Sequence, residues 1–292
     1  MRARELWPLV KETLQSWSND YVPSMGAALA YYTLFSIAPL LLIVIAVAGM
    51  VFGEQAARGE IFQQLEGLMG PQGAAAVQTL LQHADKPGGG GVIATVVGVV
   101  VLFLGAMTVF GELQNALDRI WRAPARKESR GWWNLLRTRL ASFGMILAIA
   151  FLLMVSLVLS ALVSVLGKLW GAAFAGWEMI AHLIDIGLSF ALMTVLFALI
   201  YKIIPRVRIG WRDVWLGAAV TALLFALGKF LIGLYLGKSS VASAFGAAGS
   251  LVVMMVWVYY SAQIFLLGAE FTWVYAHEHG SRKGQARPGA RA

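Results

Sequence analysis

Six apolar stretches separated by polar connections run roughly Thr33 to Phe52, Val92 to Phe110, Leu140 to Leu166, Ile186 to Ile204, Val214 to Leu236 and Phe245 to Tyr275. At a helical rise of ~1.5 Å per residue, each is long enough to cross a hydrocarbon core of about 30 Å. The pattern predicts an all-α, polytopic membrane protein with six transmembrane helices.

The polar connections add detail. Before the first span, Trp7, Val10, Leu14 and Trp17 fall on one helical face, which predicts an interfacial helix over 5–18 with its indoles at headgroup depth. A helix packed beneath the bundle accounts for the same pattern. In the connection 53–91, Ile61, Leu65 and Leu68, then Val77, Leu80 and Leu81, predict two amphipathic helices broken at Gly70-Pro71, forming a small external cap. Pro39 lies inside the first helix and predicts a kink, because proline removes a backbone donor and crowds the preceding turn. The second span is expected to continue as a helix through Trp121, with Glu112, Asn115 and Arg119 on one face and Asp118 paired with Arg122 at i, i+4 on another. Small residues four apart, such as Gly217 and Thr221, suit close helix packing in lipid. The expected organisation is one membrane domain over 1–280 and a basic, disordered cytoplasmic tail over 281–292.

Charge gives the orientation. Of the 23 Lys and Arg residues, 18 fall in the N-terminal segment, the second and fourth connections and the C-terminus; only Arg58, Lys86, Lys168 and Lys238 fall on the other side, and Lys229 sits inside a span. Basic loops stay cytoplasmic, so both termini are expected in the cytoplasm. The net charge of +8 is accounted for by this bias and by anionic lipid headgroups at the cytoplasmic face, not by nucleic acid.

Composition narrows the chemistry. With 59% hydrophobic residues, 13% charged residues and a mean hydropathy of +0.73, little material remains for a soluble core. The absence of cysteine excludes disulfides, thiolate metal sites and a thiol nucleophile. His277-Glu278-His279 lacks the i, i+4 spacing of helical zinc ligands, and there is no phosphate-cradling glycine loop or nucleophile elbow. No catalytic residue, cofactor or metal is therefore expected.

Ionisable groups at membrane depth are costly, and each is a functional candidate. In the sixth span Tyr259, Gln263 and Glu270 lie along one side of the helix. The alternating topology carries Ser24, Tyr31, Glu112, Asn115, Arg119, Arg137, Arg139 and Lys202 to the same inner-leaflet depth. These residues form a candidate polar cavity for a zwitterionic or anionic headgroup. A structural ion-pair network is the competing account. Lys229 is assigned either to snorkelling and interhelical bonding or to a substrate path.

Three stretches carry a family resemblance: Ser24 to Pro39 (SMGAALAYYTLFSIAP), Leu113 to Trp121 (LQNALDRIW) and Gly249 to Phe271 (GSLVVMMVWVYYSAQIFLLGAEF). In order and spacing they resemble the YihY/virulence factor BrkB family of bacterial inner-membrane proteins, over nearly the whole chain up to Gly280. The resemblance implies six transmembrane helices with cytoplasmic termini. Members once carried the label ribonuclease BN, generally regarded as mistaken, and relatives have been tied to serum resistance and to movement of lipids or lipid A precursors. No agreed catalytic residues carry over. The expected function is a transporter or flippase-like protein of the inner membrane for a lipid or other amphipathic envelope substrate. The alternative is a non-transporting envelope scaffold whose external cap and basic cytoplasmic surface bind partner proteins or anionic lipids; a second copy of the chain and envelope proteins are the protein partners left open.

Overall fold

The N-terminal helix α1 (Ala3–Asn19) is amphipathic and buries Leu9, Thr13 and Ser16 while exposing Trp7, Val10 and Leu14. One face of the helix is thus packed inward and the face carrying Trp7, Val10 and Leu14 is exposed. A tight turn at Asp20 and Tyr21, the latter left-handed at φ 57°, ends α1, and α2 (Val22–Phe52) begins with Pro23 in its first turn. Proline is suited to that position, since its missing N–H has no intrahelical acceptor there. Pro39 lies within α2, which is one helix throughout.

The computed structural model describes residues 3–84, 108–124, 177–238, 245 and 248–284. The described residues are helices, turns and connections, with no strand among them. Besides α1 and α2 these are α3 (Glu54–Ala84), α4 (108–120), α5 (Trp177–Ile203), α6 (Trp211–Lys238) and α7 (Gly249–Glu278). Three of them, over Ile186–Ile203, Trp211–Leu236 and Gly249–Glu278, are long and apolar enough to cross a membrane. The spans expected over Val92 to Phe110 and Leu140 to Leu166 lie outside the described residues, apart from the end of the former in α4. α6 exposes Leu223, Leu227, Phe230, Leu231 and Leu234 along one face. A continuous apolar face of this kind suits hydrocarbon better than water.

The chain divides into two units, 1–117 with 224–270, and 118–223 with 271–292. In the first, α3 is broken where the sequence predicts: Gly70 takes φ 76° and ψ 169°, a conformation open to glycine alone without strain, and Pro71 starts the second half. Met69, Ala76, Val77 and Leu81 of α3 pack with Ile45 of α2, Ile232 and Leu236 of α6 and Val253 and Met254 of α7. Glu54, Gln63 and Glu66 occupy the exposed side of α3. Each Val or Leu side chain buried away from water contributes about 1.5–3 kcal/mol. Lys229 of α6 donates to the Gly67 carbonyl of α3 at 2.7 Å, which identifies its role as interhelical bonding.

In the second unit α5, α6 and the end of α7 meet through small and hydroxylated residues. Tyr201 Oη and Thr221 Oγ1 are 3.0 Å apart, and Thr221 also donates to the Gly217 carbonyl at 2.7 Å. A Cβ at Gly217 would lie 1.8 Å from Thr272 Oγ1, so only glycine admits this approach of α6 and α7. The spacing of Gly217 and Thr221 thus serves packing, as lipid-embedded helices require.

Candidate functional site

The polar side of α7 meets the first turns of α2. Gln263 Nε2 donates to the Pro23 carbonyl at 3.4 Å, and a Cβ added at Gly26 would lie 2.0 Å from the same nitrogen and 3.7 Å from Tyr259 Cε2. Gly26 is therefore the floor on which Gln263 and Tyr259 rest. Gln263 Oε1 is shut off from solvent and accepts no hydrogen bond among the described residues. Two turns further along, Glu270 is completely buried, with Leu266 and Ala269 beside it on the helix equally enclosed. A carboxylate at such a position is costly unless its surroundings compensate, which makes it the most informative single group of the span.

The other candidates are distributed differently. Tyr31 is half exposed and lies edge-on to Tyr32 and Phe35, with ring centroids 5.4 and 5.0 Å away, as part of an aromatic cluster on α2. Ser24, Asn115 and Arg119 are exposed and Glu112 is half-buried. Arg137 and Arg139 lie outside the described residues.

A second polar assembly, in the other unit, was only partly legible. Asp118 does not pair with Arg122. Its Oδ1 accepts from the backbone N–H of Arg206 at 2.9 Å, and its Oδ2 forms an ion pair with Arg206 Nε at 3.1 Å. The reason is that α4 ends here: Arg122 is left-handed at φ 48°, Ala123 N–H reaches back to the Asp118 carbonyl at 2.8 Å, and the i, i+4 alignment lapses. The Arg122 guanidinium instead lies 4.2 Å from the ring centroid of Trp273. Buried Asp213, in the first turn of α6, accepts from the Ser281 backbone N–H at 3.2 Å and from its hydroxyl at 2.5 Å. Arg282 donates to the Arg208 carbonyl at 2.9 Å and lies 5.3 Å from the ring of buried Trp121. Residues 281–283, assigned from sequence to the disordered tail, are thus a turn held against the base of α6. Asp213 was the signal available in sequence, as the lone acid of a strongly basic connection.

Comparison with known proteins agrees with the motifs. The family model described as virulence factor BrkB matches residues 13–292. The chain belongs to the virulence factor BrkB family. The BrkB match includes the segment beyond Gly280, where Ser281 and Arg282 make the contacts just described. Among curated relatives, the UPF0761 membrane protein of Alcanivorax borkumensis is 28% identical over 264 residues, covering 88% of this chain and 58% of that protein. The UPF0761 membrane protein of Tolumonas auensis is 28% identical over 266 residues, covering 87% of this chain and 80% of that one. A third, from Alkalilimnicola ehrlichii, is 29% identical over 282 residues, covering 94% and 60%. The chain thus spans about three fifths of the length of two of these relatives. No solved structure matches the chain. With its long apolar helices, this BrkB-family chain is a helical membrane protein. Two of the BrkB-like stretches meet at Gly26 and Gln263, and the third supplies Asp118 and Trp121 to the second assembly.

Proposed function

We propose that this BrkB-family protein crosses the bacterial inner membrane six times with both termini in the cytoplasm, and that it moves a lipid or other amphipathic envelope substrate rather than catalysing a reaction. The orientation rests on the distribution of Lys and Arg, with 18 in the cytoplasmic segments. The observation that carries the transport reading is the complete burial of Glu270 in an otherwise apolar span, two turns from the enclosed amide of Gln263. A polar headgroup entering between α2 and α7 would meet the Glu270 carboxylate and give the enclosed oxygen of Gln263 a donor. Energy comes from a gradient or from the substrate's own concentration difference.

The test is reconstitution of the full chain into vesicles carrying headgroup-labelled phosphatidylethanolamine or phosphatidylglycerol, with a membrane-impermeant reductant added outside. The expected result is bleaching beyond the outer-leaflet fraction, slowed at least tenfold in Glu270→Gln while the variant still purifies as a monodisperse protein. Bleaching confined to the outer leaflet, as in protein-free vesicles, sinks the transport reading. A second reading, a non-transporting scaffold, is favoured by the structural partners of Lys229, Asp118 and Asp213, and that negative result would support it.

A further inference from the structure

The cations at the base of α6 fall into two groups. Lys202 donates to the Ile209 carbonyl and lies 5.0 Å from the Trp211 ring centroid, Arg206 is held by Asp118, and Arg282 is held by the Arg208 carbonyl and Trp121. These three build the surface. Arg208, Arg212 and Lys283 are exposed and have no acceptor among the described residues. The Asp213–Ser281 and Arg282–Arg208 bonds join the segments 208–213 and 281–283, so the three free cations border one patch. Asp213 is only 2% exposed and turned toward Ser281, so its charge does not neutralise the patch from outside.

The same patch carries two exposed indoles. Trp211 and Trp215 are 50% and 45% exposed and stand one turn apart at the end of a helix whose apolar span runs Trp211–Leu236. Indoles at the end of a span mark the headgroup level of the bilayer. Cations and indoles therefore lie at the depth where a phospholipid presents its phosphate above its glycerol backbone. We propose that Arg208, Arg212 and Lys283, flanked by Trp211 and Trp215, bind the headgroup of an anionic phospholipid of the surrounding membrane. The indoles pack on the glycerol and upper acyl region, and the guanidinium and ammonium groups contact the phosphate. The hydrogen bonds of Asp213 and Arg282 hold the patch in shape before the lipid arrives. This site stands independently of the transport reading, since a headgroup can bind here whether or not any lipid is moved.

The test is titration of the full chain, purified in a neutral detergent, with dioctanoyl phosphatidylglycerol, reading bound lipid by native mass spectrometry. Dioctanoyl phosphatidylcholine and inorganic phosphate serve as separate arms. Saturable phosphatidylglycerol binding is expected, weakened roughly fivefold for each cation removed and about 25-fold in Arg208→Gln/Arg212→Gln. Arg58→Gln, which removes a cation on α3, should leave it unchanged. Lys283→Gln and Trp215→Ala provide further single variants at exposed positions. Equal binding of phosphatidylcholine, unaltered affinity in the double variant, or displacement by equimolar inorganic phosphate would each overturn the assignment; the last would make this a site for free anions.

Discussion

Lys229 Nζ donates a 2.7 Å hydrogen bond to the carbonyl oxygen of Gly67, the one carbonyl in that turn of α3 whose regular helical donor would be residue 71, a proline. Proline has no N–H to give, so the cation of α6 replaces the missing donor at the end of a helical segment, where positive charge is also favoured. Lys229→Met should therefore cost about 1.5 kcal/mol, lowering the Tm of the detergent-solubilised protein by a few degrees and speeding proteolysis near Gly70. Lys229→Arg should recover most of the loss. Equal stability of Lys229→Met and wild type would mean that the bond contributes nothing net.

Gly217 and Thr272 mark a close approach of α6 and α7 in their unit, with a new Cβ placed 1.8 Å from Oγ1 and 2.7 Å from Cβ of the threonine. Gly217→Ala should destabilise by about 1–3 kcal/mol, since Thr272 is fully buried and cannot move aside freely. Thr272→Ala alone should be mild. The double variant Gly217→Ala/Thr272→Ala should be more stable than additivity predicts, a coupling readable by thermal unfolding in a double-mutant cycle.

Local chemistry was legible and distant pairing was not. The break in α3 followed from Gly70-Pro71, because two adjacent residues dictate the backbone there. The inward position of Gln263 and Glu270 followed from helical periodicity, but the partner surface at Pro23 and Gly26 lies 240 residues away in sequence and leaves no periodic trace. Asp118 shows why spacing misleads at helix ends. Its i, i+4 relation to Arg122 holds only while the helix continues, and the left-handed turn at Arg122 releases Asp118 to Arg206, 88 residues on. The tail boundary at 281 came from composition alone, which does not register a buried acceptor such as Asp213.

That acceptor gives a further prediction. Ser281→Ala removes the hydroxyl donor to Asp213 and keeps the backbone donor, so the turn after α7 should loosen without unfolding the unit. Hydrogen exchange over 279–284 should rise, with a stability cost of about 1–2 kcal/mol. Asp213→Ala, which leaves both donors without their acceptor, should release the turn entirely and make the chain beyond Gly280 the first site of proteolysis. Unchanged exchange in both variants would show that the turn is held by Arg282 and Trp121 instead.

The six-span topology can be tested without background because the chain contains no cysteine. Gly59 on α3 is exposed, with nothing within 4 Å of an added Cβ, and Lys11 and Lys283 are exposed near opposite ends of the chain. Gly59→Cys should react with a membrane-impermeant maleimide in spheroplasts, where the outer face of the inner membrane is accessible. Lys11→Cys and Lys283→Cys should react only after the membrane is opened, because both flank segments rich in Lys and Arg. If Lys11→Cys and Lys283→Cys label from opposite sides, the number of crossings is odd and six is wrong. If both label in intact spheroplasts and Gly59→Cys does not, an even number of crossings survives but the orientation is inverted, and the polar face around Gln263 and Glu270 belongs to the outer leaflet.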